Sequence, residues 1–108
     1  MGYDVHITRA SDWTQNKGQE ITSTEWHGLI QNDEDLVPDP QNGPNAVIWN
    51  RHPGGAEDAW LDWSMGNIYT TNPDRDLLGK MLEIAARLSA TVQGDDSKVY
   101  QTNEDLVL

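Results

Sequence analysis

The chain has 108 residues, the usual size of one folded domain, so we expect a single α+β domain over residues 1–108. Its 18 acidic and 7 basic side chains leave a formal net charge of −11, whose field repels nucleic-acid phosphate and anionic lipid headgroups. Nucleic-acid binding and membrane binding are therefore the functions excluded first, and basic proteins are the favoured class of partner.

Two absences bear on the compartment. The sequence contains no cysteine, which excludes a disulfide framework and thiol chemistry. Residues 1–6 lack the basic and apolar regions of a signal peptide, and no apolar stretch approaches the roughly 18 residues of a membrane span. We therefore expect a cytoplasmic protein.

The first predicted elements are a strand and a short helix. Residues 3–8 alternate between apolar and polar side chains, which is typical of a half-buried strand. Further along, Thr22 is followed three residues later by Glu25, and Ile21 and Trp26 flank them at the positions of a hydrophobic staple. This capping box predicts a helix that starts at Thr22.

The middle of the chain predicts a loop and then three strands. Residues 32–44 are rich in acidic residues, proline and turn formers, so they should end the first helix and form a loop. Apolar segments follow at 46–49, 59–63 and 68–71, separated by glycine-containing turns. Short strands joined by short turns favour an antiparallel meander.

A second helix is predicted after residue 72. Asn72 is a suitable N-cap, and Pro73 suits the first helical position. An apolar stripe then recurs at helical spacing, which indicates a helix packed on an apolar surface. The stripe consists of Leu77, Met81, Ile84 and Leu88.

The end of the chain completes the predicted fold. Residues 91–93 are interpreted as a last strand, 94–96 as a turn and 99–100 as a short return. The order of elements predicts an α+β fold, with a single, mainly antiparallel sheet of about five short strands and two helices on one face.

Motifs with assigned chemistry are absent from the sequence. The histidines His6, His27 and His52 are far apart, show no metal-ligand spacing and have no cysteine to complete a zinc site. The glycines at 54–55 and at 94 match no phosphate-binding pattern and are interpreted as turns. The sequence therefore indicates no catalytic residue, no cofactor and no metal ion, and it favours a non-enzymatic role.

Aromatic and acidic residues predict a surface that binds a basic protein. Exposed tryptophans among carboxylates are typical of protein-binding sites, although loops can also bury such rings in a second core. Acidic residues in a loop restrained by proline are expected to steer a basic partner. The predicted partner-binding residues are Asp33, Glu34, Asp35, Asp39, Trp49, Trp60 and Trp63.

An alternative prediction is a catalytic or ligand-binding site on the open face of the sheet. His6 and Asp62 share a sheet face if their strands pair in a suitable register, with Trp60 and Tyr69 nearby. A histidine beside a carboxylate can act as a general base. The alternative function is thus a small enzyme or small-molecule binder that uses the open face around His6, Asp62 and Tyr69. The simpler interpretation is that His6 is a histidine on the open face of the sheet with no catalytic role.

Short motifs along nearly the whole chain resemble those of a family of small uncharacterised bacterial proteins. They are YDVHITR at 3–9, EW at 25–26, W at 63, GNI at 66–68, NPD at 72–74, KM at 80–81 and VQGDD at 92–96. This resemblance implies a bacterial single-domain protein and brings no activity. Size, charge and predicted fold also resemble those of immunity proteins, the cytoplasmic inhibitors of interbacterial toxins, which implies a basic toxin as the partner.

Overall fold

A computed structural model describes residues 3–55, 59–96 and 98–102. The helices are α1 (Ser23–Gln31) and α2 (Arg75–Arg87), and a single 3₁₀ turn covers Pro40–Asn42. The strands are β1 (Asp4–Thr8), β2 (Leu36–Pro38), β3 (Val47–Trp49), β4 (Trp60–Ser64), β5 (Asn67–Thr71), β6 (Thr91–Gly94) and β7 (Val99–Tyr100).

All strands form one antiparallel sheet in the order β2-β3-β4-β5-β1-β6-β7. The predicted meander corresponds to β3, β4 and β5. Strand β1 lies between β5 and β6, and its Val5 and Ile7 are fully buried. The single antiparallel sheet is confirmed.

The predicted number of about five strands is wrong, because the sheet has seven. Strand β2 lies inside the acidic, proline-containing run of residues 32–44, for which the sequence predicts a loop. Pro38 is tolerated there because β2 is an edge strand. Proline has no backbone N–H to donate, and at the edge of the sheet this costs no hydrogen bond between strands. The short return at 99–100 pairs with β6 as strand β7.

Both helices pack on the same face of the sheet. Inward side chains of α1 and α2 join one apolar cluster with the inward residues of the strands, as the alternation of side chains across a pleated sheet requires. The predicted stripe of α2 is buried: Leu77 is 1% exposed, Met81 and Ile84 are 0% exposed and Leu88 is 7% exposed. These contacts confirm the two-helix α+β class.

The start of α1 follows the predicted capping box. Thr22 is the N-cap, and its Oγ1 accepts the hydrogen bond of the Glu25 backbone amide at 3.1 Å. The Glu25 side chain returns the bond by accepting from the Thr22 amide, also at 3.1 Å. Trp26 and Ile21, the staple residues, are both fully buried.

The start of α2 lies two residues later than predicted. Asp74, and not Asn72, is the N-cap, and its Oδ1 accepts the Leu77 amide at 2.9 Å. Asn72 instead adopts a left-handed conformation with φ of 51°, which an asparagine tolerates better than most residues. Its side-chain oxygen accepts the Tyr3 amide, a contact about which the local sequence carries no information.

None of the described helices is long and apolar enough to cross a membrane.

Candidate binding site

The face of the sheet opposite the helices brings the alternative site residues together. In the strand register, Tyr69 of β5 stands between Asp62 of β4 on one side and His6 of β1 on the other. His6 and Asp62 therefore share this open face, but they are two strands apart and not neighbours. The pair that the sequence offered as a general base does not form.

His6 has two other partners that the sequence did not indicate. Its imidazole stacks on the Trp13 indole, with ring centroids 3.6 Å apart and planes 10° from parallel. Its Nε2 donates a hydrogen bond to Asp95 Oδ1 at 3.1 Å. His6 is only 6% exposed, so the stack and the bond hold the ring in one orientation.

Trp13 reaches the open face because buried amide side chains fix the loop before α1. Gln93 of β6, which is 1% exposed, accepts the Trp13 amide hydrogen at Oε1 and donates from Nε2 to the Ala10 carbonyl. Asn67 of β5 donates to the Trp13 carbonyl at 3.0 Å. The loop is therefore a preformed wall over one end of the sheet.

This wall encloses a cleft of about 380 Å³, which we call the His6 cleft. Asp4, His6, Trp13 and Tyr69 line it together with polar side chains of the loop and of the β4–β5 hairpin. Met65 at its rim is 85% exposed and has φ of 53°, in a hairpin turn completed by Gly66 with φ of 85°. Positive φ at both central residues is the requirement of a type I′ hairpin.

A second cleft of about 260 Å³, the Trp60 cleft, lies on the same face. Trp60 contacts Tyr69 edge to face, with centroids 5.7 Å apart and planes at 86°, and this aromatic pair stands between the two clefts. The lining residues of the Trp60 cleft are Asp39, Asn42, Ala46, Ile48, Trp60 and Asp62. Asp39 and Trp60, both predicted partner-binding residues, thus meet beside Asp62.

Carboxylates surround Tyr69 on the open face. Burial raises the pKa of the Tyr69 hydroxyl, and the charges of Asp62 and Asp4 raise the pKa further because a phenolate would be repelled by both carboxylates. Among the described ion pairs, none involves Asp39 or Asp62. No basic side chain of the described residues therefore pairs with either carboxylate of the Trp60 cleft.

The acidic residues predicted to bind a partner within residues 32–44 differ in whether they pair with basic side chains of the same chain. Asp33 is buried, and its Oδ2 accepts from Lys80 Nζ and from Arg87 Nη1, each at 2.8 Å. Asp35 accepts from Arg51 Nε at 3.0 Å. Asp33 therefore ties α2 to this segment and is a poor candidate for partner contacts, whereas Asp35 and Arg51 form a surface ion pair with side chains 37% and 74% exposed.

The other predicted residues differ in accessibility. Glu34 is exposed, and Asp39, Trp49, Trp60 and Trp63 are half-buried. Trp63 packs on the helix side of the sheet, where its indole N–H donates to the Ile21 carbonyl at 2.7 Å. Trp49 also packs against the core. Of the predicted tryptophans, only Trp60 faces the open side of the sheet.

Two groups in the described part of the chain have the composition of a metal site. Asp4, His6 and Asp95 form one, and His52, Asp74 and Asp76 form the other, with ligand atoms within 4.8 Å of one another. In each group the histidine Nε2 donates to a carboxylate, at 3.1 Å for His6 and 2.6 Å for His52. These hydrogen bonds account for the proximity, and we assign no metal.

No family model matches the chain, and comparison with curated proteins and with solved structures returned no significant match.

Proposed function

We propose that the protein is a non-enzymatic binding domain whose acidic sheet face engages a basic protein partner in the cytoplasm. Its concrete version is an immunity protein that inhibits a basic bacterial toxin. The observation that supports this function best is the Trp60 cleft, where an indole ring and the carboxylates of Asp39 and Asp62 meet on an open face. Aromatic rings in such settings are frequent hot spots of protein interfaces.

The distribution of basic residues strengthens this argument. Four of the 7 Lys and Arg residues, namely Arg9, Arg51, Lys80 and Arg87, form ion pairs with carboxylates of the same chain. The formal net charge of −11 is therefore accompanied by only three basic residues outside these ion pairs, namely Lys17, Arg75 and Lys98. Such a field raises the rate at which a basic protein associates.

The ion pairs of Asp33 and Asp35 narrow the set of steering residues. Reversal of Asp33 would place a positive charge beside the buried Lys80, which would disturb the fold as well as any association, and reversal of Asp35 would lose its surface ion pair with Arg51. Glu34 is exposed and Asp39 lies at the Trp60 cleft, so Glu34→Lys and Asp39→Lys are the clean charge reversals.

The test starts with affinity capture on the immobilised protein from cells that carry its gene. A captured protein is identified, purified and mixed with the wild-type chain in stopped-flow experiments at several salt concentrations. We expect the association rate constant to fall steeply with salt, because screening shortens the reach of the charges. Glu34→Lys and Asp39→Lys should each lower it several-fold at low salt.

Asp76→Lys serves as the matched control, since Asp76 is exposed on α2 and lines neither cleft, and its reversal changes the net charge by the same amount as the other two reversals. Its association rate should fall less than that of the two acidic reversals. Failure to recover a protein partner, or an association rate that does not change with salt, would refute the proposed function.

A second candidate function is the binding of a small molecule in the His6 cleft. The observation that favours it is the Trp13 indole N–H, which is buried and has no acceptor among the described residues. Unsatisfied buried donors are rare, and Trp13 lines the His6 cleft, where a bound ligand would be the source of an acceptor. The cleft volume of about 380 Å³ lies within the range of ligand pockets.

This candidate is tested by thermal-shift screening with polar metabolites, using the wild type and Asp4→Asn. A compound that raises the melting temperature of the wild type but not of the variant would support it, because Asp4 lines the His6 cleft. If partner capture fails while such a compound is found, the second candidate replaces the first.

A further inference from the structure

The Trp60 cleft has the chemistry of a site for a planar cation. We propose that it takes an arginine side chain of the partner, held between the carboxylates of Asp39 and Asp62 and against the Trp60 indole. This inference rests on the proposed function, because it identifies the group through which the basic partner is recognised.

Both carboxylates of the cleft are already oriented. Asn42 Nδ2 donates to Asp39 Oδ2 at 2.6 Å, and the Trp63 amide donates to Asp62 Oδ1 at 2.8 Å. The second oxygen of each carboxylate, Asp39 Oδ1 and Asp62 Oδ2, receives no hydrogen bond from the described residues. Two acceptors therefore face the solvent with little conformational entropy left to lose on binding.

No basic side chain competes for these acceptors. The cleft is lined by no lysine, arginine or histidine among the described residues. Elsewhere on the same face, the His6 side chain is hydrogen-bonded to Asp95. It therefore does not pair with Asp39 or Asp62. Charge complementarity thus favours a cation from outside the chain.

The walls of the cleft favour arginine over lysine. Ala46, Ile48 and Trp60 give it an apolar surface, which is costly for a strongly hydrated ammonium group. A guanidinium is more weakly hydrated, stacks on an indole, and carries five N–H donors that can reach carboxylates on different sides. Asp39 precedes the 3₁₀ turn and Asp62 lies on β4, so the two acceptors come from different elements.

The test uses small probes in place of the partner. The ¹⁵N-labelled protein is titrated with N-acetyl-argininamide, with N-acetyl-lysinamide and with N-acetyl-citrullinamide, the neutral analogue of the arginine probe. The readout is the indole N–H signal of Trp60 in a ¹⁵N–¹H correlation spectrum, assigned by its loss in Trp60→Phe. We expect a saturable shift with the arginine probe, a weaker one with lysine and none with citrulline.

The variant Asp39→Asn/Asp62→Asn should weaken binding of the arginine probe by at least about fivefold. The matched control is Glu34→Gln/Asp76→Asn, which removes the same number of charges from exposed positions outside the cleft. Its affinity for the probe should stay close to that of the wild type. An unmoved Trp60 signal, an equal response to citrulline, or an equal loss in both double variants would overturn the proposal.

Failure of this inference can be told apart from failure of the proposed function. If a captured partner binds Asp39→Asn/Asp62→Asn as tightly as it binds the wild type, the arginine site is wrong and the protein-binding function stands on another surface. If the arginine probe binds as expected but no protein partner is captured, the cation site stands and the protein-binding function fails.

Discussion

Replacement of Asp33 by alanine should destabilise the protein strongly, although the sequence predicts that Asp33 belongs to a partner-binding surface. Asp33 Oδ2 accepts from Lys80 Nζ and from Arg87 Nη1, both at 2.8 Å, and Oδ1 accepts from the Asp35 amide at 3.0 Å. The side chains of Asp33 and Lys80 are 8% and 5% exposed. Alanine at this position would leave the ammonium group away from water without its main partner.

The expected magnitude follows from this geometry. Removal of one partner from a buried ion pair costs about 3–5 kcal/mol, because the remaining charge is uncompensated. Lys80 also donates to Glu83 Oε1 at 3.2 Å, and this contact offsets part of the loss. We therefore expect a loss of about 3 kcal/mol in the free energy of unfolding, at the lower end of the range.

Urea unfolding followed by tryptophan fluorescence measures this change. Glu34→Ala is the control, since Glu34 is adjacent and exposed, and its unfolding free energy should stay within about 0.5 kcal/mol of the wild type. If Asp33→Ala lies within about 1 kcal/mol of the wild type, the ion pair does not stabilise the fold and the reasoning is refuted.

The same ion pair makes the stability depend on pH. Burial by itself raises the pKa of the Asp33 carboxyl, but hydrogen bonds from Lys80, from the Asp35 amide and from Arg87 outweigh it and lower the pKa. Because the folded-state pKa is below the unfolded one, the stabilisation is complete above the unfolded pKa and is lost as the pH falls through the folded value. The stability difference between wild type and Asp33→Asn should therefore shrink below about pH 4.

Three further substitutions are checked by the same urea unfolding. Met81→Ala should cost about 2–5 kcal/mol, because Met81 is 0% exposed, and a cost below about 1 kcal/mol would contradict its place in the core. Thr22→Ala should cost about 1 kcal/mol through loss of the cap on the Glu25 amide, and an unchanged stability would show that the cap is dispensable. Gly94→Ala should cost about 1–3 kcal/mol, because its Cβ would lie 1.9 Å from Tyr3 Oη. Tyr3→Ala in the Gly94→Ala background should add less than its own separate cost, and simple additivity would argue against the clash.

The features that the sequence predicts correctly depend on residues that are close along the chain. The capping box joins Thr22 to Glu25, and the buried stripe of α2 repeats every three or four residues, so each signal lies within one or two helical turns. The first strand and the meander were predictable for the same reason, since alternation and turn residues are local properties.

The errors lie where a distant contact overrode the local signal. Asn72 is a good N-cap by type, but its side chain accepts the amide of Tyr3, 69 residues away, and Asp74 takes the cap. Strand β2 was missed because prolines and acids argue against a strand, while pairing with β3 at the sheet edge makes one there.

For the candidate site, the sequence predicted which types of residue would be present but not how they would be arranged. The sequence by itself determined that the surface is acidic, that Trp60 and Trp63 face opposite sides of β4, and that local patterns form two helices and a meander. Only the tertiary structure decided that Asp33 pairs with Lys80, 47 residues away, that His6 pairs with Asp95, 89 residues away, and that Asp39 meets Asp62 beside Trp60. The physical reason is that carboxylates look alike in a sequence, and only the register of the sheet and the placement of the loops decide which are neutralised and which face solvent.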